Sequence, residues 1–399
     1  MKNNKKIAII GGGILGLATG YQLVNKRSGF KVHLFEKEKG FGKHQSGNNS
    51  GVLHCGLHYQ PGSLKAKLAV NGIREMIRFC EINQINHEIC GKVVVASNAS
   101  EAKYLDNLAE RGNRNGLLGV KYLNKEELKV REPNVFATKA LLVPEEGIID
   151  YHQVMSTMAK GICDAGSEIS YNTEVNHIIT AGNQSIINTD NNSYEFDYII
   201  NCTGLQSDRT YEKFTKLKSP LKIVPFRGEY MNIKEEYTSL INHLVYPVPD
   251  PTYPFLGVHF TRLTNGKREV GPNAVLALKR EGYSNRDFNL NDTADTIFYK
   301  GFQKFIFKNF RFTMGEFKSS LSKKDFVNKA KKLIPSVEDY MFEKGTAGVR
   351  AQAMDKEGEL IMDFKIEKNG NQIHVINAPS PGATASLSIA SYIIDNYIF

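Results

Sequence analysis

Gly11, Gly13 and Gly16 form a G-x-G-x-x-G turn between an apolar run, Lys6–Ile10, and a stretch with helical spacing, Ile14–Asn25. Each glycine has a physical task in gripping a dinucleotide. Gly11 permits the tight turn, Gly13 lets backbone approach a pyrophosphate, and Gly16 lets helix and strand pack closely. The helix start, with Ile14 and Leu15, offers unpaired N–H groups and a positive dipole end to the phosphates. A second apolar run, Phe30–Glu36, ends in an acid twenty positions after Gly16. The Glu36 carboxylate can accept both ribose hydroxyls and repels a 2′-phosphate, which argues against NADP. Strand, turn, helix, strand and acid in register make a strong dinucleotide signature. They do not separate FAD from NAD.

A second small-residue stretch, Ser46–Gly56, places Gly47, Ser50, Gly51 and Gly56 around two asparagines. Small residues admit a flat ligand to the backbone, and hydroxyls can bond sugar or phosphate oxygens. His54 and His58 have the i, i+4 spacing of a metal pair. The glycines around them disfavour a helix and no third ligand is near, so no metal is expected. The five cysteines, Cys55, Cys80, Cys90, Cys163 and Cys202, are scattered and form no CxxC, which points to reduced thiols.

The elements that position these residues follow from periodicity. Helices are predicted over Ser63–Gln84, Glu101–Asn113, Lys125–Val130 and, capped by Asp150, Tyr151–Asp164. Lys92–Ala96 reads as a strand and Glu145–Gly147 as a turn. Short strands follow over Glu168–Tyr171, Thr173–Ile179, Ser185–Thr189 and Ser193–Asn201. Pro220–Leu278 reads as an antiparallel sheet, and Phe288–Leu333 as helical. A strand near Ile373–Asn377, a glycine turn at Ser380–Ala383 and a helix from Thr384 complete the chain. The expected fold is α/β in layout and α+β overall. Residues 1–90, 150–215 and 345–399 form a discontinuous cofactor domain, and 91–149 with 216–344 an inserted substrate domain.

At 399 residues, 41% hydrophobic and 23% charged, the chain has the length and composition of a two-domain globular protein. Its net charge is +9, yet the lysines are scattered and no basic arm alternates with aromatics, so nucleic-acid binding is not expected. No apolar run approaches the roughly 18–20 residues of a membrane span, and no signal-peptide core precedes the first strand. A cytoplasmic location is expected, with peripheral contact at the inner face of the membrane left open by the basic charge.

Seven blocks go beyond pattern: HQSGNNSGVLHCGLHY (His44–Tyr59), IVPFRGEY (Ile223–Tyr230), YPVPDP (Tyr246–Pro251), FLGVHFTR (Phe255–Arg262), GPNAVLALKREGY (Gly271–Tyr283), AGVRAQAMD (Ala347–Asp355) and NAPSPGATASL (Asn377–Leu387). In this order and nearly end to end, the chain resembles the L-2-hydroxyglutarate dehydrogenase/oxidase family of D-amino-acid-oxidase-like FAD enzymes. The resemblance implies FAD, a glutathione-reductase-type Rossmann-like FAD domain and a substrate domain on a large antiparallel sheet. It also implies oxidation of L-2-hydroxyglutarate to 2-oxoglutarate. Two positions depart from the family's pattern. His58 replaces an aromatic residue and Cys55 replaces Ala or Ser, which leaves a wider substrate range open.

Carried onto this sequence, the resemblance places Lys37 beside Glu36, and Gln45, Ser46, Ser50 and Gly51 on the flavin wall. It places Val175 at the adenine, and Thr203 with Gly204 at the end of a buried strand. Pro381, Gly382, Ala383 and Thr384 would turn backbone amides toward the flavin and stabilise negative charge on it. A 2-hydroxy dicarboxylate needs cationic clamps and a base for its hydroxyl proton. Arg350 is the first clamp, because a guanidinium binds a carboxylate bidentately and fixes the direction of its neighbour's C–H. Arg227 is a second candidate or a brace of the inserted domain, and Tyr246 and Tyr230 can donate hydrogen bonds. His259 and His54 are the candidate bases. Alternatives are an oxidase of another 2-hydroxy acid or an amino acid, and a non-catalytic flavoprotein subunit. Oxygen, a membrane quinone and an electron-transfer protein all stay open as the next acceptor.

Overall fold

The computed structural model describes residues 5–26, 29–182, 184–190, 192–250 and 255–399. Pro251, the last residue of the YPVPDP block, lies outside the described residues.

The dinucleotide signature folds as its spacing predicts. Lys5–Ile10 is a strand, Ile14–Lys26 a helix, and Phe30–Phe35 a parallel strand beside the first. Three more parallel strands extend this sheet: Glu168–Ser170 beyond Phe30–Phe35, then Tyr198–Asn201 and Gln372–Asn377 on the other side. Lys365–Asn369 closes the edge antiparallel. Both faces of the sheet are covered, as a parallel sheet requires. Ile7, Ile9, Val32 and Leu34 face one side, toward the helices Ile14–Lys26, Tyr151–Asp164 and Ser386–Ile393. Ala8, Ile10, Phe35 and Ile199 face the other, against Ile187 and Phe196 of a three-stranded meander, Val175 just before it and Phe214 of the helix Ser207–Thr215.

The second sheet is larger and mostly antiparallel, with nine strands. Its spine is the pairing of Lys222–Ile233 with Phe342–Met354, where Phe226 stands opposite Arg350. Phe342–Met354 runs in this sheet through position 345, where the sequence reading begins the last cofactor-side segment. Leu244–Pro247 and His259–Arg262 pair antiparallel, and Lys92–Ala96 joins Leu244–Pro247 in parallel. Four short helices between Leu290 and Ala330 follow.

Caps set the helix starts. The Asp150 carboxylate accepts from the N–H groups of His152 and Gln153, and Ser63 caps Leu64–Ile82. Seven of the described strands escape the sequence reading: Val52–Leu53, His87–Glu88, Lys121–Leu123, Lys139–Val143, Gly147–Ile149, Phe342–Met354 and Lys365–Asn369. All but Phe342–Met354 are five residues or fewer, and all but Lys365–Asn369, which forms a hairpin with Gln372–Asn377, pair with strands that are not their immediate chain neighbours or are themselves too short to read.

Candidate active site

A cavity of about 830 Å³ runs between the two sheets, near the upper end of the range for cofactor sites. At one end lie Glu36, Lys37 and Val175, with Gly11, Gly13, Ile14 and Leu15 along the wall. Gln45, Ser46, Ser50, Thr203, Gly204 and Pro381–Thr384 also line it, as do His54, His259, Arg350, Tyr230 and Tyr246. Gly16 and Gly51 do not line it and act on the backbone instead. A Cβ on Gly16 would stand 2.0 Å from the Gly11 carbonyl oxygen. Gly51 holds φ +62 with Ile149 behind it.

The glycine turn leaves donors for a phosphate. Among the described residues the N–H groups of Gly13 and Leu15 have no hydrogen-bond partner. A Cβ on Gly13 would meet only Ser46 Oγ, at 3.1 Å. Ser46 Oγ itself accepts from Ile14 N–H at 2.9 Å, so it caps the helix. Glu36 accepts from Gly12 N–H at 2.6 Å and Glu38 N–H at 2.9 Å, which fixes its carboxylate at the strand end. At the far end, the N–H groups of Ala383 and Thr384 likewise have no partner among the described residues. The Thr384 hydroxyl is held by the Tyr151 hydroxyl at 2.7 Å and by His54 N–H at 3.2 Å. Unpaired amides at both ends of a long cavity fit a dinucleotide with a flavin at one end and a pyrophosphate between.

The reaction end is built by register. Val52–Leu53 pairs antiparallel with Gly147–Ile149, Leu53 opposite Gly147, so the next step brings His54 opposite Glu146. His54 Nδ1 lies 3.4 Å from Glu146 Oε2, and Lys92 Nζ donates to Glu146 Oε1 at 2.7 Å. Glu146 and Lys92 are each 1% exposed. Burial opposes the Glu146 charge, but Lys92 and His54 outweigh it and hold the carboxyl well below its usual range. The Cys55 thiol donates to the same carboxylate at 3.2 Å, and burial pushes that thiol up.

Tyr246 and His259 are cross-strand partners by the Val245–Phe260 register, and their rings stack 3.9 Å apart. His259 Nδ1 lies 2.9 Å from the Gly257 carbonyl oxygen, which must accept, so Nδ1 carries the proton and Nε2 keeps its lone pair. Burial lowers His259 to about 3, against the raising effect of that hydrogen bond. His58 lines the same end with both ring nitrogens shielded and unpartnered, and burial lowers it also to about 3.

Arg350 lines the cavity with its guanidinium over the Phe255 ring at 5.4 Å. Its one hydrogen bond among the described residues is to the Asn273 carbonyl at 3.4 Å. Arg227 is different. It is a neighbour of Phe226, whose side chain shares a face with Arg350, so Arg227 points to the opposite face of the sheet. There it bonds the Ser284 carbonyl at 3.1 Å, Glu229 at 3.0 Å and Asn285. The brace, not the clamp, describes Arg227, which does not line the cavity.

Sequence reasoning missed three groups. Glu146 sits in what reads as a turn, and Lys92 heads the KVVVA strand. Lys65 lines the cavity at 5% exposure over the Tyr59 ring at 4.4 Å, and burial lowers its ammonium to about 8. Near the cavity, Glu38, His44 and Glu281 bring ligand atoms within 4.8 Å of one another. Lys37 Nζ reaches both Glu281 oxygens at 2.7 Å, so this group is an ion-pair cluster.

The dinucleotide cavity between a parallel and an antiparallel sheet defines a class, and the chain belongs to the DAO family of FAD-dependent oxidoreductases, which it matches over residues 6–396. Within that class it is similar to L-2-hydroxyglutarate dehydrogenases. It is 46% identical to that of Indibacter alkaliphilus over 98% of either chain. It is 42% identical to one from Escherichia coli, over 97% of this chain and 91% of the relative. In fold it is similar to L-α-glycerophosphate oxidase of Mycoplasma pneumoniae with FAD bound, with a TM-score of 0.78 and 23% identity over 99% and 95% of the two chains.

Proposed function

We propose that this chain oxidises L-2-hydroxyglutarate to 2-oxoglutarate, with FAD in the cavity. The observation that carries the reading is the convergence of Arg350, the His54–Glu146 pair and His259 on one end of the cofactor cavity. Its closeness to L-2-hydroxyglutarate dehydrogenases over nearly the whole chain supports the choice of substrate. FAD, held by the glycine turn, Glu36 and Pro381–Thr384, would supply the two-electron acceptor for the hydride at the substrate Cα.

The chain's own residues do the rest. Arg350 binds the carboxylate beside the hydroxyl and orients the Cα–H. His54 takes the hydroxyl proton on Nε2, because Glu146 on Nδ1 stabilises the imidazolium that forms. His259, held neutral by burial, stacks on the Tyr246 ring and shapes the wall against which the substrate packs. Tyr230 and Tyr246, both with hydroxyls pushed up by burial, stay protonated and serve as donors to carboxylate oxygens.

The test is anaerobic mixing of the purified flavoprotein with each enantiomer. L-2-hydroxyglutarate should bleach the oxidised flavin band and the D-enantiomer should not. Faster bleaching by L-lactate, glycine or a D-amino acid would overturn the substrate. No bleaching by any of them would favour a non-catalytic flavoprotein subunit.

A further inference from the structure

Most cations that line the cavity already have a partner or stand in solvent. Lys92 is paired with Glu146, Lys37 with Glu281, and Arg209 with Asp292 and Asp295. Lys213 serves the adenine end, where it donates to the Val175 carbonyl at 3.5 Å, and Lys43 is exposed. Arg350 and Lys65 are left, each without a carboxylate partner among the described residues.

Lys65 is only 5% exposed, and a buried ammonium without an anion is costly. Its place is set by the backbone. Ser63 caps the helix Leu64–Ile82, and one oxygen of Asp363 accepts from Lys65 N–H at 2.9 Å and from Phe364 N–H at 2.8 Å. Asp363 thus holds the main chain, and it makes no ion pair with the ammonium. Burial lowers that ammonium only to about 8, so it stays charged at neutral pH.

Two walls bring Lys65 to the flavin end of the cavity. Tyr59, whose ring lies under the ammonium, donates from its hydroxyl to the Ser380 carbonyl at 3.2 Å, one residue before the Pro381–Thr384 amides. On the other side, Gln352 lines the cavity two residues beyond Arg350, and the neighbouring Ala353 carbonyl accepts from Ile361 N–H at 2.9 Å. Met362 follows, lining the cavity beside Asp363, and at 55% exposure it marks the mouth.

We infer that Lys65 binds the distal carboxylate of a 2-hydroxy dicarboxylate whose other carboxylate lies on Arg350. The inference rests on the L-2-hydroxyglutarate reading above and supplies its second clamp, the role that Arg227 does not fill. The substrate then lies with its reacting carbon at His54 and its chain directed toward the mouth. A monocarboxylate of the same length leaves Lys65 buried without an anion, so the site discriminates through an unpaired charge as well as through a contact.

The test compares L-2-hydroxyglutarate with L-2-hydroxyvalerate, which carries a methyl group in place of the distal carboxylate. On the holoenzyme, Lys65→Met should cut the kcat/KM ratio of dicarboxylate over monocarboxylate about 10- to 100-fold, mainly through KM. Lys65→Arg keeps the charge and should retain most of the ratio. Glutarate has no hydroxyl to oxidise and reads binding alone, through the absorbance of the oxidised flavin. Its Kd should weaken in Lys65→Met by a similar factor. An unchanged ratio overturns the inference, and so does a loss equal on both substrates. With a shifted flavin reduction potential, that equal loss would put Lys65 on the flavin instead. No glutarate binding by the parent, or equal binding by parent and Lys65→Met, overturns it too. If the parent prefers lactate or an amino acid, the substrate reading fails, and the glutarate titration still decides Lys65 by itself.

Discussion

His54 Nδ1 stands 3.4 Å from the carboxylate of Glu146, a buried acid whose other oxygen is held by the equally buried Lys92. The pair orients the ring and gives its charged form a partner, while the lysine keeps the acid ionised. Removing Glu146 alone strands the Lys92 charge in the interior, a cost of about 3–5 kcal/mol in stability. Glu146→Gln with Lys92→Met removes both charges together. That double variant should fold and lose about 100-fold or more in kcat/KM. A stable double variant with the parent's rate would show that His54 needs no carboxylate.

The neutral histidines have a consequence for stability. His58 and His259 are both lowered to about 3 by burial, from an ordinary value of 6.5. Between those limits the unfolded chain binds protons that the folded chain refuses, so stability falls as pH drops from about 6.5 toward 3. Each histidine contributes a slope of about 1.4 kcal/mol per pH unit in that window. His58→Phe should flatten the slope by about one such contribution. Urea unfolding of parent and variant at pH 7 and pH 4.5 measures it, and equal losses in the two would refute the assignment.

Arg350 has almost no competing partner in the protein, so its guanidinium is available to an incoming carboxylate. Arg350→Ala should cost roughly 3 kcal/mol, about 100-fold in kcat/KM, mostly through KM. Arg227→Ala should instead lower thermal stability and leave KM for L-2-hydroxyglutarate close to the parent's. Steady-state kinetics on the two variants separates clamp from brace.

Gly13 and Gly16 should fail in different ways. A Cβ on Gly13 points toward the cavity and meets only Ser46 Oγ, whereas one on Gly16 runs into the Gly11 carbonyl. Gly13→Ala should fold as a colourless or weakly flavinated protein with nearly the parent's apoprotein Tm. Gly16→Ala should fold poorly whether or not FAD is supplied. Flavin content and apoprotein melting curves decide between the two kinds of damage.

The cofactor end was legible in the sequence because its signals are local. Gly11–Gly16 and Glu36 fall within one strand–helix–strand unit, and the Asp150 cap sits directly before the helix it starts. The reaction end was only half legible. Arg350, His259 and His54 stood in distinctive blocks, but nothing near Lys92 says that its ammonium meets an acid 54 residues away. Arg227 looked like a clamp for the reason Arg350 did, a cation in a matched block. The face it takes depends on alternation along a strand paired with residues more than a hundred positions later. Local pattern carries backbone conformation well. It does not carry which side chains meet.

The strand Gln372–Asn377 lies inside the parallel sheet, between Tyr198–Asn201 and the antiparallel edge, and the chain then runs on into the cavity wall at Pro381–Thr384. A ribosome that has made the first three hundred and sixty residues has therefore made the glycine grip without the sheet that supports its far side. Strands that neighbour in space but are distant along the chain make late and slow contacts. During synthesis the apolar edge of Tyr198–Asn201 stays uncovered, a hazard of aggregation that ends only when the last strand docks. Completion of the flavin cavity thus waits on the arrival of residues 372–384.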